Sequence, residues 1–227
     1  MPIFKQKNEN FFKKWSPEMA YVLGFFTADG SMIKNKKGAH FIDFYSNDKD
    51  ILEKIKYTAS LEHKITHVIR KSVKWNDSYK LQIGSREWYK DLQNFGLTQN
   101  KSRVVRMPKI PTEYLPHFVR GYFDGDGNVH MGRYWRKDRK NWKWQFSVSF
   151  VSGSRLFLED LWISLKRYVN GGHINIKNRE YGLVFSKLDS IALFKFMYHN
   201  VPTKLFLERK YITFQKALKK FKYAVVA

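Results

Sequence analysis

At 227 residues, with 43% hydrophobic and 17% aromatic side chains, the chain is long enough to bury a substantial core as one large domain or two small ones, which excludes a disordered tail. It contains no cysteine, which removes both a disulfide framework and a thiolate metal site. Lys and Arg number 42 against 20 Asp and Glu, a formal charge of +22 that repels itself in a compact state and suits a polyanionic partner, nucleic acid first.

Met1 to Lys14 is polar and lacks the apolar segment of a signal peptide, and no apolar run reaches bilayer length. The expectation is an intracellular protein with no membrane partner, placed in cytoplasm, nucleoid or organelle. Ser16 as N-cap, Pro17 at the first helical position and Glu18 in the first turn start a helix that Gly30 ends as a C-terminal glycine. Alternating patterns predict strands near 40–46 and 64–84, with helices near 48–58 and 86–95. Pro108, Pro111 and Pro116 interrupt every regular pattern, so residues 101–115 read as a linker. Strands near 142–152 and 173–186 follow, with helices near 154–168 and 188–198. Basic residues are interleaved with Trp, Tyr and Phe throughout, so the charge belongs to a folded surface.

The two parts repeat one another. Tyr21 to Gly30 aligns without a gap with Phe118 to Gly127, so that Asp29 matches Asp126. Phe44-Tyr45-Ser46 resembles Phe150-Val151-Ser152, and Tyr79-Lys80-Leu81-Gln82-Ile83 resembles Tyr181-Gly182-Leu183-Val184-Phe185. The expected fold class is α+β, a tandem duplication with halves at 1–100 and 116–227.

Gly24 and Ala28 lie on one stripe of the first repeated helix, and Gly121 and Gly125 on one stripe of the second. Two such stripes can meet backbone to backbone. Asp29 and Asp126 then follow at helix C-termini, where the dipole and the like charge both oppose ionisation unless a cation joins them. Carboxylates with backbone carbonyls suit Mg²⁺, and metal-activated water can attack a phosphodiester. Asp124 is the ambiguous acid, because its counterpart is Thr27, and it is expected to pack or be solvated rather than to ligate. His117 and His130 flank the second motif but fit no zinc or nuclease pattern, and neither is assigned a catalytic role.

At Val22 to Gly30 and Val119 to Gly127 the sequence resembles the LAGLIDADG homing endonucleases in their monomeric two-motif form. The match is best at Gly24, Ala28, Asp29, Gly30, Gly121, Asp124, Asp126 and Gly127. It departs at Phe25-Phe26 and Tyr122-Phe123, where the family has aliphatic residues, at Arg120 and at Thr27. The resemblance implies two αββαββα halves related by a pseudo-twofold axis, forming a saddle of antiparallel sheets with the motif helices at the interface. It also implies intron homing: site-specific hydrolysis of both strands of double-stranded DNA at a long asymmetric target, with Mg²⁺ as cofactor and Mn²⁺ or Ca²⁺ as substitutes. Carried over, Asp29 and Asp126 are metal ligands beside the carbonyls of Ala28 and Gly125. Asn47 falls where the family often has a polar group organising water, while its counterpart is Gly153. Lys101 and Lys210 resemble the basic residues that approach the scissile phosphates, the alternative for each being an exposed surface lysine. An intron-encoded maturase, with its own intron RNA as partner, and a non-cleaving DNA-binding protein are the alternative functions on the same scaffold.

The strands and turns offer groups for reading DNA. The first turn carries Lys34, Lys36 and Lys37, and the longer second one, Asn128 to Trp144, carries Arg133, Arg136, Lys137, Arg139, Lys140 and Lys143. The second hairpins offer Arg70, Lys71, Lys74, Lys80 and Gln82, then Asn175, Lys177, Asn178, Arg179 and Lys187. Trp135, Trp142 and Trp144 are expected to pack the long hairpin.

Overall fold

The computed structural model describes residues 5–69, 78–177, 180–199, 201 and 204–223. Helix α1, Pro17–Asp29, begins where the Ser16 hydroxyl accepts from the Met19 N–H. Every residue from Met19 to Thr27 is buried, as expected of a helix apolar around its circumference. Gly30 does end α1, but the expected glycine cap is corrected: at φ −97° and ψ 153° the residue is extended and opens the next strand directly. Space is what selects glycine there, because a Cβ would run into the Phe26 ring.

Strands β1, Gly30–Lys34, and β2, His40–Ser46, lead into α2, Lys49–Thr58; β3, Ile65–Val68, and β4, Ser78–Gly84, lead into α3, Arg86–Asn94. The sheet is antiparallel in the order β1-β2-β4-β3. Register puts Ile42 opposite Ile83 and Phe44 opposite Leu81. These four are fully buried, on the face that α2 and α3 cover with Ile51, Leu52, Ile55, Trp88 and Leu92. Asp43 opposite Gln82 and Tyr45 opposite Lys80 occupy the other face.

A second series repeats the plan. It runs α4, Leu115–Asp126; β5, Gly127–Arg136; β6, Asn141–Ser152; α5, Arg155–Leu165; β7, His173–Lys177; β8, Glu180–Phe185; and α6, Lys187–Tyr198. Its sheet has the matching order β5-β6-β8-β7. Val148, Phe150, Leu183 and Phe185 form its core face with Phe157, Leu161, Leu193 and Phe194. The long second turn is a ten-pair hairpin in which only residues 137–140 turn, Lys140 taking φ 46°. The 101–115 stretch holds two short 3₁₀ turns, Lys101–Arg103 and Thr112–Tyr114, and α4 opens at Leu115 with Pro116 in its first turn. A further helix, α7, Glu208–Lys220, follows; its buried face is Lys210, Phe214, Ala217 and Leu218. No helix among the described residues is long and apolar enough to cross a membrane.

The compact units cut across the repeat. One comprises Met1–Lys101, Pro108–Gly125 and Pro202–Phe206; the other comprises Ser102–Met107, Asp126–Val201 and Leu207–Ala227. Nearly all of α4 therefore belongs with α1, and the reason is the glycine pair. A Cβ on Gly24 would strike the Phe118 carbonyl and lie 2.9 Å from the Tyr122 nitrogen; one on Gly121 would strike the Tyr21 carbonyl and lie 2.9 Å from the Phe25 nitrogen. The two backbones touch, as the stripes of small residues predict.

Candidate active site and nucleic-acid interface

The close crossing carries α1 and α4 alongside each other to their C-terminal ends. A Cβ on Gly125 would meet the Ala28 methyl and lie 3.2 Å from Asp29 Oδ2, so the Asp29 carboxylate stands beside the residue that precedes Asp126. Asp29 and Asp126 are each the last residue of their helix, and each is half-buried. Asp124 is buried at 3% exposure and accepts a 2.7 Å hydrogen bond from the Tyr21 hydroxyl. Its counterpart Thr27 donates to the Leu23 carbonyl. Both pack inside rather than facing solvent.

Lys101 and Lys210 are not surface lysines. Each is 5% exposed. Lys101 Nζ donates to the Gly30 carbonyl at 2.7 Å, with the Phe26 ring 5.6 Å away, and Lys210 Nζ donates to the Gly127 carbonyl at 2.6 Å. Two lysines, each following the last helix of its repeat, thus end on the same atom of each repeat, the carbonyl of the glycine that follows the motif acid. Asn47 is exposed in the bend between β2 and α2. At Gly153, its counterpart, a Cβ would come within 2.6 Å of the Ser102 carbonyl, which explains why the second copy has no side chain there.

The basic groups divide. Lys34, Lys36 and Lys37 are exposed around a turn that Asn35 fixes by accepting from the Lys37 and Ala39 N–H groups. Lys137, Arg139 and Lys140 are exposed at the tip of the long hairpin, where Arg136 pairs with Asp138. Lys143 shares a sheet face with Asn175, whereas Arg133 falls on the opposite face, its guanidinium 5.4 Å from Trp142 and 5.9 Å from Trp144. Trp135 and Trp142 pack edge to face at 5.7 Å, as expected of a long hairpin. Lys177 is the last residue of β7, and Lys187 opens α6 with its ammonium 5.1 Å from the Phe221 ring. Arg70, Lys71, Lys74, Asn178 and Arg179 lie outside the described residues.

Lys80 and Gln82, both expected to face DNA, are tied to a residue that sequence reading missed. Asp43 is completely buried; its Oδ2 accepts from Lys80 Nζ at 2.8 Å and from the Tyr45 hydroxyl at 3.1 Å, and its Oδ1 accepts from Gln82 Nε2 at 2.8 Å. Burial alone would lower the Lys80 pKa, but the hydrogen bond and charge of Asp43 outweigh it and raise the value. Burial, then the Asp43 charge, raise the Tyr45 pKa. A lone acid inside the strand His40–Ser46, otherwise rich in apolar and aromatic residues, was the available signal. Elsewhere His117 is held neutral, its pKa lowered to about 4 by burial and then by the Arg120 guanidinium, which approaches its Nδ1 at 3.1 Å.

Residues 16–100 match the LAGLIDADG-like domain model. Among solved structures, the chain is similar to the LAGLIDADG meganuclease I-AabMI bound to uncleaved DNA (TM-score 0.62, 15% identity, 92% of each chain). It is also similar to the homing endonuclease I-SmaMI bound to cleaved DNA (TM-score 0.59, 17% identity, 92% of this chain and 91% of that one) and to mesophilic variants of the homing endonuclease I-DmoI (TM-score 0.58, 15% identity, 88% and 97%). Curated relatives match over shorter stretches. They include the RNA polymerase subunit Rpo1C of Methanocaldococcus jannaschii (28% identity, 51% of this chain, 13% of that protein), the uncharacterized protein MJ0398 of the same organism (29%, 50% and 40%), and a probable translation initiation factor IF-2 of Thermococcus kodakarensis (35%, 31% and 5%). The chain therefore spans well under half the length of these curated relatives. The first repeat thus matches a LAGLIDADG-like domain, and over 92% of its length the chain shares the fold of solved LAGLIDADG endonucleases.

Proposed function

We propose that the chain is a site-specific DNA endonuclease that hydrolyses both strands of a long asymmetric duplex target with the help of a divalent metal. The observation that carries this reading is the twofold repetition of one chemical unit: a helix ending in an acid, then a glycine whose carbonyl receives a buried lysine. The donor set fits a hard cation. There is no cysteine, and among the described residues no cluster of three or more His, Asp and Glu groups offers another metal site. Asp29 and Asp126 would hold the ion together with the carbonyls of Ala28 and Gly125, leaving positions for water and phosphate oxygens, a set suited to Mg²⁺ and compatible with Mn²⁺ or Ca²⁺. Bound there, the ion supplies Lewis-acid and water-activating chemistry.

The chain's own groups do the rest. Lys101 and Lys210, anchored by their carbonyl hydrogen bonds, place fixed positive charge next to the acids, where it stabilises the phosphate as negative charge accumulates on it. Asn47 orders water in the first repeat, and Gly153 leaves the second without that group. The exposed lysines and arginines of the turns neutralise phosphates, and the open sheet faces read base edges. Short matched segments within proteins as different as a polymerase subunit and an initiation factor support a module carried inside unrelated genes, as homing requires.

The test is incubation of the protein with a randomised duplex library and Mg²⁺. Double-strand breaks recovered at one long sequence, and none with EDTA, are expected. Tight binding in Mg²⁺ without any cutting would establish a non-cleaving DNA-binding protein instead, and selection of no DNA would remove the interface as well.

A further inference from the structure

Resting on the DNA-reading role just proposed, we infer that Asp43 is a positioning residue for base recognition: it fixes the orientation of the Gln82 amide, so that Gln82 reads adenine at one base pair of the target. Asp43 lies at 0% exposure in the middle strand pair, on the sheet face turned away from α2 and α3. A carboxylate only accepts hydrogen bonds, so the Gln82 bond at 2.8 Å must come from the amide NH₂. That directs Oε1 away from Asp43 and leaves one N–H of Nε2 unspent. Gln82 is exposed, so an acceptor and a donor in fixed order remain to face a ligand. This is the pair that adenine requires, its N6 amino group donating to the amide oxygen and its N7 accepting from the amide N–H.

The other two bonds to Asp43 make the arrangement rigid. Lys80 Nζ and the Tyr45 hydroxyl both donate to Oδ2, so the carboxylate is clamped from its second oxygen and cannot rotate to release the amide. The Lys80 charge is meanwhile spent inside the protein, which removes a group that would otherwise favour guanine O6 and N7 at the neighbouring position. Preorganisation of this kind converts a side chain able to present either of two faces into one that presents a single face.

The second repeat lacks the device at an identical register. Ser149 opposite Val184 and Val151 opposite Gly182 replace Asp43 opposite Gln82 and Tyr45 opposite Lys80. The strand framework is duplicated, but the polar cluster is not, so the sequence preference it confers falls on one side of the target only.

The experiment selects bound sequences from a randomised duplex library for the wild-type protein and for Gln82→Ala, Asp43→Asn and Asp43→Ser. Gln82→Ala identifies the base pair that Gln82 reads, where the wild type should favour adenine about tenfold or more. Asp43→Asn can donate as well as accept, so the amide regains both orientations, and the adenine preference at that pair should fall at least threefold while preferences elsewhere hold. Asp43→Ser introduces the residue that the second repeat already tolerates at this register, and should do the same. A folded Asp43 variant that keeps the full preference overturns the inference. So does a chain that folds with neither substitution, since Asp43 is then a folding residue. Failure of the wild type to select any DNA would instead refute the underlying function.

Discussion

Replacing Gly121 by Ala separates two opposed physical effects. On an exposed helix the change would stabilise by about 1 kcal/mol, because alanine loses less backbone freedom on folding. Here the added methyl would strike the Tyr21 carbonyl and lie 2.9 Å from the Phe25 nitrogen. Both are backbone atoms of a helix buried from Met19 to Thr27, so no rotamer change relieves the overlap and α1 and α4 must separate. Overpacking of this kind costs about 3 kcal/mol or somewhat more, leaving a net loss of about 2 kcal/mol or more. For a chain of this length that corresponds to a fall in Tm of roughly 4–8 °C. Thermal and urea unfolding followed by circular dichroism measure it, with Gly84→Ala as the control, because the nearest atom to a Cβ at Gly84 is 3.8 Å away. A Gly121→Ala protein as stable as the wild type would refute the close backbone crossing.

Other perturbations reach the remaining parts of the account. His117 has a folded pKa below its unfolded value, so the unfolded chain binds more protons in the window from pH 6.5 down to about 4. Its contribution, about 2 kcal/mol after allowance for solvent screening, is present above that window and lost as pH falls through it. Urea midpoints measured across the window should therefore slope less steeply in His117→Gln than in the wild type. Lys101→Met and Lys210→Met should each reduce cleavage on the order of 10²-fold while leaving DNA affinity within about threefold; affinity lost in proportion to cleavage would make these lysines binding groups only. If the exposed Lys34, Lys36, Lys37 and hairpin-tip residues contact phosphates, log affinity against log salt should have a slope of about −0.9 per contact, and removal of one lysine should make it shallower by about 1.

The parts of the molecule legible in the sequence are those governed by local periodicity and by the repeat. Ser16 and Pro17 start α1 where expected, strands and helices follow one another along the chain as anticipated, and the small-residue stripes meet. What escaped detection depends on distant partners. The membership of α4 in the first compact unit follows from a three-dimensional crossing that the repeat boundaries do not encode. Helix α7 hides because Lys210 interrupts its apolar face, and that lysine is buried with its ammonium on the Gly127 carbonyl, a partner 83 residues away. Arg133 belongs to the same run of positive charge as Lys143, yet the strand register sends the two to opposite faces. Asp43 looks like an ordinary strand acid until Lys80, Gln82 and Tyr45 converge on it.

The most direct measurement is double-strand cleavage of the selected target by Asp29→Asn and by Asp126→Asn in Mg²⁺, alongside DNA affinity in Ca²⁺. Asparagine preserves shape and removes the charge. If both acids serve one metal-dependent centre, each single substitution abolishes cutting of the two strands while the protein still binds DNA. Undiminished cutting by either variant would contradict the account.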